Sequence, residues 1–234
     1  MKLLQLLLLV LLYFLLIKCS AQPPLGYRVE GHIRGLSDET RMYLIDGGQR
    51  KIIDSAVVRQ GRFVLAGTLT EAAHTYLYAG KGRSSTKLAD ILLDNRTLTI
   101  EGREPVYDSI VVTGSDIDRL WKEWSREDLR IGYQRFRIKQ VYESLVSKED
   151  TANANVLRKL INELTTARIE LLKTYVRRHR TSAVGAVLPT LCTLGDYLTQ
   201  ADYLEMYQSL SPTWQNSRFG REILLEARRK GVQP

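Results

Sequence analysis

Hydrophobic positions along this chain keep two different rhythms. From Tyr27 to about Thr113 they fall at every second residue in short runs broken by turns, and from Gly114 onward they recur every three or four residues. The first run, Tyr27-Arg28-Val29-Glu30-Gly31-His32-Ile33, puts Tyr27, Val29 and Ile33 on one face of a half-buried strand. Met42 to Ile45, a turn at Asp46-Gly47-Gly48, and Lys51 to Val58 then predict a hairpin. Gln60-Gly61 separates Val57-Val58 from Phe63-Val64-Leu65, which predicts a second hairpin pairing across a tight turn. Further strands are expected at Thr75 to Ala79, Leu88 to Leu93, Thr97 to Glu101 and Ser109 to Thr113, with Asp94-Asn95 turning between two of them. Evenly spaced turns with no helical period between them favour antiparallel pairing in a small sandwich or barrel-like sheet over a parallel βαβ arrangement.

After Gly114, Ser115 is placed to cap a helix with Asp118 at the third position, and Ile117, Leu120, Trp121 and Trp124 follow along one stripe. Ile138, Val141, Tyr142 and Leu145 extend the helix to a stop around Ser147 to Asp150. A second helix has Leu157, Leu160, Leu164, Ala167 and Leu171 at alternating steps of three and four, the seam of a helix packed on a neighbour. The short polar link between the two predicts an antiparallel helical hairpin. Shorter helices are expected at Ser182 to Leu194, Gln200 to Leu210 and Phe219 to Arg229, separated by Gly195 and by Ser211-Pro212. The fold class is therefore α+β, with a leader over residues 1–21, an antiparallel β domain over 22–114 and an α-helical domain over 115–234.

The leader changes where this fold is expected to work. Lys2, the apolar run Leu3 to Ile17 and the small residues Cys19-Ser20-Ala21 have the form of a secretory signal peptide, which directs the chain to the periplasm or cell envelope. Cys19 suggests a lipid-anchored alternative, but the charged Lys18 before it fits the lipoprotein peptidase poorly. Cleavage after Ala21 leaves Cys192 as the single cysteine and excludes dithiol redox chemistry within the mature chain. The formal charge of +8 would raise nucleic acid as a partner for a cytoplasmic protein. For an exported one it points instead to anionic lipid headgroups or an acidic protein.

The residues also carry a family pattern. Gly31, Gly35, Asp54, Ser55, Val58, Gly61, Phe63 and Gly67, then Ile91 to Asn95, Leu98-Thr99-Ile100, Val112 to Ser115 and the stretch around Tyr175, His179 and Ser182 stand in the order of a known arrangement. The chain resembles the domain of unknown function, with its helical region, that precedes the thioredoxin-like domain in envelope thiol-disulfide oxidoreductases of Bacteroidota. The resemblance runs from about Tyr27 to Gly231. It implies that Lys230 to Pro234 stand where relatives lead into the domain bearing the Cys-x-x-Cys pair. A stand-alone accessory domain and a split or truncated reading frame both agree with that expectation.

Candidate chemistry is sparse. Asp54-Ser55 reads as a local hydrogen-bonded tie, since no histidine base stands beside the serine in sequence. His32, His74 and His179 lack metal-ligand spacing. Asp46, Asp54, Asp90 and Asp94 do not form a calcium loop and read as solvated turn residues. Gly80 to Ser85 lacks the fixed spacing of a phosphate-binding loop and reads as a hairpin loop. Arg126, Arg130, Arg135, Arg137, Lys139, Arg177, Arg178 and Arg180 read as solvated helical faces that could also attract an anionic surface. Trp121 and Trp124 read as core anchors, and Cys192 as a buried thiol.

No catalytic residue, cofactor or metal ligand is assigned. The expectation is a non-enzymatic, exported accessory or interaction protein with a protein partner, a thioredoxin-like protein being one candidate, and with association at the membrane surface. The alternatives are a fragment of an oxidoreductase, or a module that grips a sugar or peptide with sheet tyrosines such as Tyr43, Tyr76 or Tyr78.

Overall fold

The structure, a computed structural model, describes residues 26–80 and 84–232. The leader, Cys19 and Lys81, Gly82 and Arg83 of the predicted hairpin loop lie outside the described residues. Eight strands come first: β1 (Tyr27–Ile33), β2 (Arg41–Asp46), β3 (Ile52–Val57), β4 (Arg62–Gly67), β5 (Ala73–Ala79), β6 (Thr86–Leu93), β7 (Thr97–Gly102) and β8 (Ile110–Thr113). They form two four-stranded sheets in a sandwich-like β unit, in the orders β4-β1-β7-β8 and β3-β2-β5-β6.

Strand alternation holds as read. Tyr27, Val29 and Ile33 of β1, Met42 and Leu44 of β2, and Leu98 and Ile100 of β7 are all buried in the core between the sheets. Gly31 faces Phe63 across β1 and β4, and a Cβ at position 31 would stand 2.0 Å from the Phe63 ring. The glycine therefore makes room for a buried aromatic side chain, whose burial contributes roughly 2 kcal/mol.

Two pairings differ from expectation. β1 pairs with β7 in parallel, so the first sheet is mixed and not wholly antiparallel. The Gln60-Gly61 turn does form, with positive φ at both residues and reciprocal Arg59 and Arg62 backbone hydrogen bonds. Beyond that single bridge the strands part: β3 stays with β2 in the second sheet, and β4 crosses to β1 in the first. Asp54 bridges the gap by accepting hydrogen bonds from the backbone N–H of Ser55 at 2.7 Å and of Ala66 at 2.9 Å.

The helices follow as α1 (Asp116–Ser147), α2 (Thr151–Arg178), α3 (Ala183–Leu191), α4 (Gln200–Ser209), α5 (Pro212–Gln215) and α6 (Arg218–Gly231). Ser115 caps α1 by accepting the Asp118 N–H, as its spacing predicts. Pro212 opens the short helix α5, where its missing N–H costs nothing. The seam of α2 is displaced from the predicted one. Leu160 is exposed and Ala167 points outward, while Ala154, Ile161, Arg168, Leu172 and Tyr175 are buried. Leu157, Leu164 and Leu171 flank that seam and are half-buried. The apolar pattern misses it because one of its layers is an arginine.

The helices build a second core around Trp124, Leu172, Val176, Val184, Leu188, Phe219 and Ile223, and Leu92 of β6 belongs to this core. Asp118 accepts the Leu92 N–H at 2.9 Å, so the first turn of α1 covers part of the edge strand β6. Beyond this base the α1–α2 hairpin runs on as a two-helix arm with Tyr133, Phe136, Val141 and Val156 exposed.

Candidate functional site

The outward face of the second sheet brings three tyrosines together with a lysine and an aspartate. Tyr43 stands opposite Tyr78, Ile45 opposite Tyr76, and Tyr76 opposite Asp90, all on the face turned away from the sandwich core. Each of the three tyrosines is half-buried. A bulge in β6 shapes the rest: Leu77 pairs with Ala89 while Tyr78 pairs with Lys87, leaving Leu88 as the extra residue. Leu88 turns into the core, and Lys87 and Asp90 come to the same face and pair at 2.7 Å.

Around that pair the groups are close. Lys87 Nζ lies 4.3 Å from the centre of the Tyr76 ring, a cation–π contact, and the Tyr107 hydroxyl donates to Asp90 at 2.5 Å. His74 packs edge-on against Tyr76 and Trp121 at 4.9 and 5.1 Å, and its Nε2 approaches Asp90 at 3.6 Å without another partner. At that distance His74 only approaches the carboxylate, while Lys87 and Tyr107 make the strong bonds. Burial by itself would raise the Asp90 carboxyl; His74, Lys87 and Tyr107 outweigh it and hold it down to about 2.

Beside His74 and Tyr76 a cleft of about 360 Å³ opens between the second sheet and the helices. Arg218 of α6 stands in its wall, bound to Asp46 at 2.9 Å and near Glu222 at 3.4 Å. The Arg218 N–H donates to Glu71 at 2.9 Å, so this residue ties β unit to helices through both backbone and side chain. Asp46 is only 7% exposed and also accepts from the backbone of Gly48 and Gln49. It is a buried anchor and not the solvated turn residue expected, because its partner arrives from a helix far along the chain. Burial raises the Glu222 carboxyl against the opposing pull of Arg218.

Cys192 lines the same cleft, half-buried, with its Sγ donating to the Pro189 carbonyl at 3.4 Å. Burial pushes its thiol up to about 11, the reverse of what an attacking thiolate needs. Asp54 and Ser55 serve the strand crossing described above, where the Tyr27 hydroxyl also reaches Asp54 at 3.5 Å. His32 sits on β1, His74 on β5 and His179 at the end of α2, and the fold does not bring them together. Among the described residues no group of three or more His, Cys, Asp or Glu side chains is arranged to hold a metal ion. Asp94 stays near its turn with Arg96 and Ser115. Trp124 is 2% exposed and anchors the helical core, while Trp121 couples that core to His74.

Several residues escaped sequence reasoning. Asp128 and Arg168 form a buried two-pronged pair at 2.7 and 2.6 Å between α1 and α2, and Arg168 also donates to Thr193 at 2.8 Å. Lys173 of α2 holds Asp202 and Glu205 of α4 at 2.6 and 2.7 Å. Arg135, read as solvated, donates to Thr165 and to the Tyr197 hydroxyl. A charged residue at a seam position was the available signal for Arg168, and Asp46 and Arg218 gave none.

Residues 27–121 match a family model described as a domain of unknown function (DUF4369). The match spans all eight strands and the first turns of α1 to Trp121. No curated protein matches the chain.

Proposed function

We propose that this chain is an exported, non-catalytic accessory protein of a bacterial envelope that holds a protein partner on the outward face of its second sheet. The observation that carries the reading is the row Tyr43, Tyr78 and Tyr76 on neighbouring strands, each half-buried on the side away from the sandwich core. Tyrosines offer large contact area at low cost in side-chain freedom, together with a hydroxyl for hydrogen bonding. Lys87 and Asp90 add fixed charges of both signs at the same place. The likeness to domains that accompany thioredoxin-like oxidoreductases makes a thioredoxin-like protein the first partner to try. Cys192, with its thiol held up near 11, offers no support for a thiolate-based reaction.

A second reading has its own support. The cleft beside Tyr76 has the volume of a small ligand, which suits a sugar or short peptide gripped between sheet and helices. One experiment separates the two. The tagged full chain is recovered from its own envelope beside the variants Tyr43→Ala with Tyr78→Ala, and Glu222→Gln. A stoichiometric protein lost from the tyrosine variant and kept by Glu222→Gln is the expected result. A tyrosine variant that retains every partner of the parent chain would overturn the sheet-face reading.

A further inference from the structure

The arm of the α1–α2 hairpin carries a face that nothing above employs. On an α-helix, residues 126, 129, 130, 133, 136, 137 and 140 fall within about 120° of one another. On α1 these are Arg126, Leu129, Arg130, Tyr133, Phe136, Arg137 and Gln140, a band roughly 21 Å long. Leu129, Tyr133 and Phe136 are 48%, 67% and 55% exposed. Arg126, Arg130 and Arg137 are exposed as well, and none is hydrogen-bonded or ion-paired to a described residue. The two acids in this stretch are turned inward, Glu127 onto the Tyr175 hydroxyl at 2.9 Å and Asp128 onto Arg168. The outward field between residues 126 and 142 is therefore entirely positive, and three unpartnered guanidinium groups flank an unpartnered apolar stripe.

We propose that this face of α1 docks on an anionic phospholipid surface, with Leu129, Tyr133 and Phe136 entering the headgroup boundary and Arg126, Arg130 and Arg137 meeting lipid phosphates. Charge selects the occupant, since the face offers three cations and no anion. The interleaving selects it further. Arginine stems and the tyrosine ring are amphipathic, so a convex helical band can sink its apolar side chains slightly while its guanidinium groups stay at phosphate level. The face is on the arm, apart from the tyrosine row, so docking here leaves the proposed partner site free.

The test is co-sedimentation of the full chain with vesicles of phosphatidylethanolamine containing phosphatidylglycerol, against vesicles of phosphatidylcholine alone. Three proteins are compared: the parent chain, Arg126→Gln with Arg130→Gln and Arg137→Gln, and a control with the same charge change at the exposed Arg59, Arg62 and Arg228. All three share residues 1–25, so any contribution of that segment cancels. The parent should bind the anionic vesicles, and progressively less as salt rises. The arm variant should bind on the order of 100-fold more weakly, and the control nearly as well as the parent. A further variant, Leu129→Ser with Tyr133→Ser and Phe136→Ser, should lose the binding that survives high salt. Equal losses in arm variant and control would reduce the effect to net charge and overturn the proposal. Parent binding that ignores lipid charge would overturn it too, as would an arm indifferent to vesicles but captured by an acidic protein.

Discussion

Removing the carboxylate of Asp128 tests how the helical hairpin is held. Its partner Arg168 has a side chain 8% exposed and keeps only Thr193 when the carboxylate is gone. A buried guanidinium left without its counter-charge costs about 3–5 kcal/mol. For a chain of this size that is a fall in melting temperature of roughly 6–20 °C. Asp128→Ala should show this loss in urea unfolding followed by circular dichroism at 222 nm, which reads the helices directly. The double variant Asp128→Leu with Arg168→Met replaces the pair by apolar volume and should return to within about 1 kcal/mol of the parent or exceed it. Recovery in the double variant separates an unpaired charge from a simple loss of packing. A cost below about 1 kcal/mol for Asp128→Ala, the worth of a surface pair, would refute the reasoning.

Arg218→Ala should cost about 1.5–3 kcal/mol in the same assay, because Asp46 loses a charge-assisted bond in a nearly buried place; an unchanged midpoint would show that the tie contributes nothing. Asp90 is depressed to about 2, so its contribution to stability is complete above the unfolded carboxylate value near 4 and is lost as pH falls toward 2. The stability gap between the parent and Asp90→Asn should therefore narrow over that window, and a gap independent of pH would contradict the assignment. With its thiol near 11, Cys192 in the folded chain should react with iodoacetamide at pH 8 on the order of 100-fold more slowly than in the denatured chain. Insulin-disulfide reduction by the purified chain should match a no-protein control, and reduction above it would refute the non-catalytic reading.

Local features were readable in the sequence because local chemistry produces them. The change from strand to helix lies at Gly114 and Ser115, where a glycine at φ +95° meets a capping serine, and both are visible as letters. The alternation in β1 is equally plain. The parallel neighbour of β1 was not readable, because β7 lies far along the chain and turn chemistry says nothing about strands that share no turn. The bulge at Leu88 was hidden too, and it alone sets Lys87 beside Asp90. Tyr43, Tyr76 and Tyr78 could be named from the sequence, and alternation puts the last two on one face, but bringing Tyr43 beside them depended on the pairing and register of β2 with β5. Arg168 defeated the apolar pattern because a charge inside a seam imitates a surface position.

The measurement that bears most directly on the central claim is site-specific photo-crosslinking in intact cells, with a benzophenone side chain at Tyr43 and, as a control, at the exposed turn residue Arg59. The account predicts a discrete protein adduct from position 43 that is absent from position 59. No adduct from position 43, or the same adducts from both, would contradict it.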